Sequence, residues 1–228
     1  MKYPIYPCGD TAVTIQIGNE ISEAVNREVV AVLQAVSRAE IPGIRELVPS
    51  YTAVCVHYDP ILLSYEQFLQ YLDGIEIAVN TQTDSGEKCI KIPVCYGGEY
   101  GPDLEYVAAH NGLTTDEVVR RHSERTYLVY MLGFLPGFAY MGGMDESISC
   151  PRLASPRTKI PAGSVGIAGS QTGIYPLASP GGWQLIGRTP VKMFEMMGET
   201  AKFTLSAGDR VQFVPISEEE FLAMEGQA

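Results

Sequence analysis

PRLASPRTKIPAGSVGIAGSQTGIYPLASPGGWQLIGRTP spans Pro151–Pro190 of this 228-residue chain. This stretch is the most informative one about the fold of the C-terminal part. It holds seven glycines between Gly163 and Gly187 and six prolines, with short apolar runs between them. Glycine and proline mark turns, and short apolar runs between turns are typical of strands. Many short strands separated by turns predict a β-barrel-like domain.

The same region lacks acidic residues, although the protein as a whole is acidic. Residues 147–194 contain no Asp or Glu, whereas the formal net charge of the chain is −11. Five cations lie in this region: Arg152, Arg157, Lys159, Arg188 and Lys192. This acid-free segment therefore predicts a pocket for an anion such as a carboxylate or a phosphate.

The composition argues against several classes of protein. A pI near 4.7 argues against nucleic-acid binding, because neutralising phosphates requires a basic surface. The sequence has no apolar run of the roughly 18 residues that a membrane-spanning helix needs, and its first residues lack the apolar stretch of a signal peptide. We therefore expect a cytoplasmic protein that binds neither nucleic acid nor membrane.

The cysteines and histidines argue against disulfides and metal sites. The five cysteines are odd in number and include no C-x-x-C pair, which favours reduced thiols. The three histidines, His57, His110 and His122, have no ligand partner at metal spacing, so no metal site is expected.

The first 86 residues predict an N-terminal α+β domain. Strands are predicted at Thr11–Gly18, Ile44–Ser50 and Tyr51–Asp59, and a helix after Ile21 from apolar residues spaced three and four apart. A second helix is expected between Ser64 as N-cap and Gly74 as C-cap. The order β-α-β-β-α predicts a ferredoxin-like α/β sandwich, with Lys88–Tyr96 as its candidate last strand.

Residues 87–228 predict the C-terminal barrel domain, which follows a short polar linker at Asn80–Glu87. Two helices are predicted to meet at Asn111-Gly112, the second capped by Thr114 or Thr115. A buried strand is predicted at Thr126–Phe134 and a hairpin at Ala201–Ile216 that turns at Gly208. Ser217 is expected to cap a short final helix.

Aromatic and polar residues in three glycine-rich segments are candidate ligand contacts. Phe134, Phe138 and Tyr140 line an apolar wall or belong to the core. Gln171 and Tyr175 are polar residues that a purely structural turn does not need, and Trp183 stacks on a ligand or fills one end of the barrel. These segments do not match the phosphate-loop pattern G-x-x-x-x-G-K-[ST] or the dinucleotide pattern G-x-G-x-x-G.

Arg188 and His122 each leave two readings open. Arg188 follows a glycine and presents a fork of N–H donors either to a carboxylate or phosphate, or to loop carbonyls. His122 lies near the predicted end of a helix and is either a structural residue or a catalytic one. The sequence predicts a pocket without a complete catalytic apparatus.

The long glycine-rich stretch, together with GFLPGFAYMGG and the early GDTAVTIQIG, resembles the family of KipI and allophanate hydrolase subunit 1. The resemblance covers essentially the whole chain. It implies a ferredoxin-like N-terminal domain and a cyclophilin-like C-terminal β-barrel.

The resemblance implies three alternative roles. The first is the B subunit of an ATP-dependent 5-oxoprolinase, which hydrolyses 5-oxo-L-proline to L-glutamate together with the A and C subunits of that enzyme and is inactive on its own. The second is an inhibitor of autophosphorylation by a sporulation histidine kinase, and the third is a component related to urea carboxylase or allophanate hydrolase. The first is the predicted function, with ATP used by the complex and its contact with this chain left open.

The chemistry of the first role assigns tasks to the candidate residues. A lactam is a poor electrophile, so the site needs donors for anionic oxygens, groups that orient the ring and a means of moving a proton. His122, Arg157 and Arg188 are predicted to be catalytic. The predicted substrate-binding residues are Phe134, Phe138, Gln171, Tyr175 and Trp183.

Overall fold

The computed structural model describes residues 2–78, 89–198 and 200–226. The chain divides into two compact units, Met1–Ser85 and Gly86–Ala228, each with its own hydrophobic core. The predicted linker at 80–87 lies outside the described residues. No helix among the residues described is long and apolar enough to cross a membrane.

The first unit is an antiparallel sheet of four strands with two helices. Its elements are β1 (Ile5–Pro7), β2 (Ala12–Gln16), α1 (Glu23–Arg38), β3 (Ile44–Pro49), β4 (Ala53–Tyr58) and α2 (Tyr65–Asp73). The strand order is β1-β2-β4-β3. Ser64 caps α2 in a reciprocal capping box with Gln67, and Gly74 is the C-cap, so both predicted ends of this helix are confirmed.

The strand at the sheet edge beside β2 differs from the predicted one. The sequence assigned the last strand of this unit to Lys88–Tyr96, but the strand at that edge is β1, near the N-terminus. Residues Cys89–Tyr96 form a strand of the second unit instead, where Ile92 and Val94 are buried in the barrel core. An apolar strand was correctly predicted there, but its partner strands lie far away in the sequence.

The second unit is built around a closed barrel of seven strands. The barrel strands are β5 (Cys89–Tyr96), β6 (Thr126–Leu132), β7 (Ala139–Gly142), β9 (Ser164–Ala168), β10 (Gln171–Ile174), β12 (Gln184–Arg188) and β15 (Arg210–Pro215). They close in the order β10-β7-β6-β15-β5-β12-β9. The pattern of short strands and glycine turns therefore predicted the barrel correctly.

Helices and two separate strand pairs accompany the barrel. The helices are α3 (Leu104–Asn111), α4 (Thr115–Ser123) and α5 (Glu218–Glu225), with a 3-10 turn at Glu146–Ile148. The additional strands are β8 (Arg157–Ile160), which pairs with β11 (Ser179–Gly181), and β13 (Phe194–Met197), which pairs with β14 (Thr200–Phe203). Thr114 caps α4 and Ser217 caps α5, as predicted.

The predicted hairpin at Ala201–Ile216 is wrong. Gly208 does form a turn, with φ at +95°. The strands on its two sides belong to different sheets, because β14 pairs with β13 while β15 pairs with β5 and β6. The burial explains the split, since β15 places Val211 and Phe213 in the barrel core whereas all four residues of β14 are exposed.

Candidate functional site

A small pocket with aromatic walls lies in the second unit, beside the barrel strands β7 and β12. Its volume is about 290 Å³, at the small end of ligand pockets. We call it the aromatic pocket. It is lined by Phe134, Phe138, Tyr140, Arg152, Leu153, Pro156, Tyr175, Pro180, Gly181, Gly182 and Trp183.

Four of the predicted substrate-binding residues converge at this pocket. Phe138, Tyr175 and Trp183 are almost fully buried, and Phe134 is exposed. The Phe138 ring centroid lies 5.3 Å from that of Tyr175 and 5.5 Å from that of Trp183, both edge to face. This arrangement is favourable for aromatic rings and leaves a fixed apolar wall.

Two glycines permit this packing. A Cβ at Gly173 on β10 would lie 3.2 Å from both the Phe138 and the Trp183 rings, a tight contact that glycine avoids. A Cβ at Gly181 would lie 2.5 Å from the Tyr175 hydroxyl oxygen and 2.6 Å from Ile160. The glycines of the acid-free segment thus serve ring packing as well as turn formation.

Phe134 at the pocket is held in a strained backbone conformation. Its φ is +67°, and the Leu135 N–H donates to the Gly133 carbonyl at 2.8 Å, which closes a γ-turn of the rare form with positive central φ. A bulky residue in this region is uncommon, and its ring is 63% exposed while lying 5.6 Å from the Phe138 ring. An exposed aromatic ring on a strained turn is typical of a binding site.

Two phenol hydroxyls and a guanidinium supply the polar groups. Burial raises the pKa of Tyr175, and a hydrogen bond from the Trp183 backbone N–H to its hydroxyl opposes that rise. Burial also raises the pKa of Tyr140, and the charge of Arg152 lowers the pKa of both tyrosines to a smaller extent. Both phenols are therefore neutral donors at neutral pH, with Arg152 close to each.

Arg152 was not among the residues predicted to form the site. It was only one of five cations in the acid-free segment, and no local pattern distinguished it from the others. Its place depends on the chain path between the 3-10 turn and β8, which brings it to the barrel end near Tyr140 and Tyr175. Tyr140, which was expected on an apolar wall or in the core, is part of the pocket lining.

Arg157 makes a structural ion pair. Its Nη2 donates to Asp103 Oδ1 at 2.7 Å, and Asp103 Oδ2 accepts the Leu185 N–H at 2.7 Å. This carboxylate links the start of α3 to β8 and β12. Arg157 is near enough to Tyr175 to affect its pKa, but it does not line the aromatic pocket.

Arg188 and Gln171 also lie away from the pocket. Arg188 Nε donates to the Ala162 carbonyl at 3.1 Å, its Nη2 contacts Glu225 at 3.2 Å, and its guanidinium lies over the Phe221 ring. Of the two interpretations of Arg188, the contacts agree with the structural one, in which the arginine donates to a loop carbonyl. Gln171 is half-buried at the start of β10 and is not part of the lining.

His122 is fully buried in the second unit rather than at the pocket. Its ring stacks on Phe213 with 4.5 Å between centroids, and the Tyr127 hydroxyl donates to its backbone carbonyl at 2.7 Å. Burial lowers its pKa from 6.5 to about 3. The geometry does not bring His122 to a substrate in the aromatic pocket, so the catalytic reading finds no support here.

The hydrogen bonds of His122 fix its neutral form. The Thr172 hydroxyl donates to the Gly166 carbonyl at 3.1 Å, so it must accept from His122 Nε2–H at 2.8 Å. His122 Nδ1 is then the acceptor for the Tyr96 hydroxyl, also at 2.8 Å. Because Thr172 precedes Gly173 on β10, this chain of bonds holds the strand whose Gly173 lies against the Phe138 and Trp183 rings.

Comparison with known proteins assigns the family. Residues 3–204 match the protein family described as carboxyltransferase domain, subdomain C and D. The chain belongs to this family. A relative from Bacillus subtilis, named as the B subunit of 5-oxoprolinase, is 43% identical over 100% of this chain and 99% of its own length. A relative of the same name from Escherichia coli O157:H7 is 41% identical over 93% of this chain and 96% of its own. The resemblance drawn from the glycine-rich motifs is thereby confirmed.

Two solved structures share this fold within longer chains. The crystal structure of TTHA0988 is 38% identical, with a TM-score of 0.78, and the match covers 90% of this chain but only 40% of that one. The urea carboxylase of Kluyveromyces lactis, at 20% identity and a TM-score of 0.78, shares the fold over 96% of this chain and 22% of its own. The present chain thus spans less than half of each.

Proposed function

We propose that this chain is the B subunit of a 5-oxoprolinase, which hydrolyses 5-oxo-L-proline to L-glutamate in an ATP-dependent reaction. The observation that carries the proposal is the 43% identity to a relative of that name over both full lengths. The aromatic pocket supports it, because its volume of about 290 Å³ suits a small ring and its walls combine apolar rings with hydroxyl donors.

The pocket supplies binding and orientation rather than a full catalytic set. Phe138 and Trp183 present ring surfaces to the apolar part of a lactam. The Tyr175 hydroxyl accepts the Trp183 backbone N–H, so its own proton is available for the lactam oxygen. Donors placed in this way stabilise negative charge that develops on that oxygen during hydrolysis.

We assign the remaining groups to partner proteins of the complex. The residues that line the aromatic pocket include no carboxylate, histidine or cysteine, and the sequence has no phosphate loop. The A and C subunits of the enzyme are therefore the proposed source of the ATP site and the general base. That related modules occur within longer chains supports a module that works next to other domains.

Finer fold assignments accompany this proposal. The sheet order β2-β4-β3, with α1 between β2 and β3 in the chain and α2 after β4, supports a ferredoxin-like N-terminal unit in which β1 takes the last strand's place. The closed barrel of seven strands supports a cyclophilin-like C-terminal unit.

Reconstitution tests the function directly. The chain is combined with its A and C partners, ATP and 5-oxo-L-proline, and glutamate and ADP are measured, with each protein omitted in turn. Glutamate is expected only from the complete mixture. No turnover, together with tight binding to a histidine kinase, would favour the kinase-inhibitor alternative.

A matched pair of tyrosine variants tests the role of the pocket. Tyr175→Phe removes the hydroxyl in the pocket and is expected to lower kcat by at least about 10-fold, since a lost oxyanion donor costs that much or more. Tyr106→Phe removes an exposed hydroxyl on α3, outside the pocket, and is expected to leave kcat unchanged. Equal activity of the two variants would contradict a role of the aromatic pocket in the reaction.

A further inference from the structure

Arg152 differs from the neighbouring arginines in its surroundings. Arg157 is paired with Asp103 and Arg188 with Glu225. Arg152 makes no hydrogen bond or ion pair with any of the described residues (2–78, 89–198 and 200–226), and it lines the aromatic pocket. An arginine without a carboxylate partner at the wall of an apolar pocket is ready to bind an anion.

The pocket around Arg152 constrains what that anion can be. The walls are rings, the volume is small, and the other polar groups are the phenol hydroxyls of Tyr140 and Tyr175. A phosphate would leave the ring walls without apolar partners. A small ring that carries a carboxylate uses both parts, since a guanidinium fork binds the two oxygens of a carboxylate side by side.

We propose that Arg152 is the residue that recognises the carboxylate of the substrate, so that the aromatic pocket selects small cyclic amides bearing a carboxylate next to the ring nitrogen. The inference rests on the proposed function. In this arrangement Phe138 and Trp183 contact the ring, Tyr175 donates a hydrogen bond to the lactam oxygen, and Arg152 binds the carboxylate. The groups then contact three different parts of one small molecule.

The test compares substrates with and without the charge. The reconstituted complex is assayed with 5-oxo-L-proline as substrate, and the neutral 5-oxoprolinamide is added as a competitor. Arg152→Gln is expected to raise KM for 5-oxo-L-proline by about 10- to 100-fold, the usual worth of a hydrogen bond to a charged group. The inhibition constant of 5-oxoprolinamide should change by less than about threefold, because that ligand has no charge to lose.

Two further variants complete the design. Arg152→Lys keeps the charge without the fork, so its KM for 5-oxo-L-proline should lie between those of the wild type and Arg152→Gln. Lys159→Gln removes an exposed cation on β8 that is not part of the pocket lining, and KM should stay at the wild-type value. Since Arg152 is exposed, its variants are expected to fold, and circular dichroism checks this.

The outcomes separate the inference from the function on which it rests. An unchanged KM in Arg152→Gln would overturn the inference, and so would an equal loss of affinity for the acid and the amide. Absence of glutamate with the wild-type complex would instead refute the proposed function. If Lys159→Gln raised KM as much as Arg152→Gln, the cause would be a general effect of charge. That result would also overturn the assignment of carboxylate recognition to Arg152.

Discussion

Lowering the pH is expected to destabilise the second unit through His122. Burial lowers the pKa of His122 in the folded protein from 6.5 to about 3. An unfolded chain therefore binds a proton near pH 6.5 that the folded protein accepts only near pH 3. The contribution of His122 to stability is thus complete above pH 6.5 and is lost progressively as the pH falls from 6.5 to about 3.

The two pKa values determine the size of this effect. At pH 5.5 the unfolded state gains about 1.4 kcal/mol from protonation of this histidine, whereas at pH 7.5 it gains less than about 0.1 kcal/mol. A measurement at pH 5.5 stays above the pI of about 4.7, where the protein is least soluble.

Urea unfolding at pH 7.5 and 5.5 measures the effect. Trp183, the single tryptophan, lies in the same unit as His122, so its fluorescence reports the unfolding of that unit. The wild type should lose about 1.4 kcal/mol more between the two pH values than His122→Gln. The carboxylates titrate alike in both proteins, so the difference isolates the histidine.

A matched histidine variant controls the comparison. His110 is exposed on α3, and His110→Gln should keep the pH dependence of the wild type. His122→Gln is expected to be less stable at both pH values, because Tyr96 and Thr172 lose a ring that fits both hydroxyls. If His122→Gln shows the same pH dependence as the wild type, the buried neutral state inferred for His122 is refuted.

Three further substitutions and one control test the packing in and around the site through urea unfolding followed by circular dichroism. Gly181→Ala should destabilise the barrel by about 1–3 kcal/mol because the methyl group meets the Tyr175 hydroxyl, whereas Gly182→Ala, with its nearest neighbour at 3.6 Å, should change stability by less than about 0.5 kcal/mol. Phe134→Gly should leave stability unchanged or raise it by up to about 1 kcal/mol by relieving the positive φ, while it lowers oxoprolinase activity; a clear loss of stability would contradict the assigned strain. Asp103→Asn should cost about 2 kcal/mol because it leaves its arginine partner without a counter-charge, and an unchanged stability would refute that role.

The sequence predicted local structure well and the partners of strands poorly. The capped helices were found at their caps, because a capping box is a contact between residues three apart. The strand at Cys89–Tyr96 was also found, but its neighbours β12 and β15 lie about a hundred residues further along the chain. Alternation of apolar residues shows that a strand is half-buried, and it does not show against which strand it lies.

At the site, too, the sequence indicated which residue types are present but not which residues they contact. Phe134, Phe138 and Tyr140 were expected on an apolar wall or in the core, and the structure places all three in the lining of the aromatic pocket. The sequence analysis selected Arg157 and not Arg152, although each directly follows a proline and no local pattern shows which of them has a carboxylate partner. What separates them is Asp103, which approaches Arg157 only through the fold.

The acid-free segment is therefore not a cluster of unpaired cations, because two of its arginines form ion pairs. Its carboxylate partners come from elsewhere in the chain, with Asp103 at the start of α3 and Glu225 at the end of α5. Arg157 thereby links α3 to β8, and Arg188 links α5 to the barrel strand β12, so each already has a carboxylate partner. Ion pairs with these carboxylates occupy Arg157 and Arg188, whereas Arg152 has no carboxylate partner among the described residues. Since the lining of the aromatic pocket then offers one cation, neutral donors and rings, it can bind and orient a lactam acid, but the groups that cleave the lactam must come from outside this pocket.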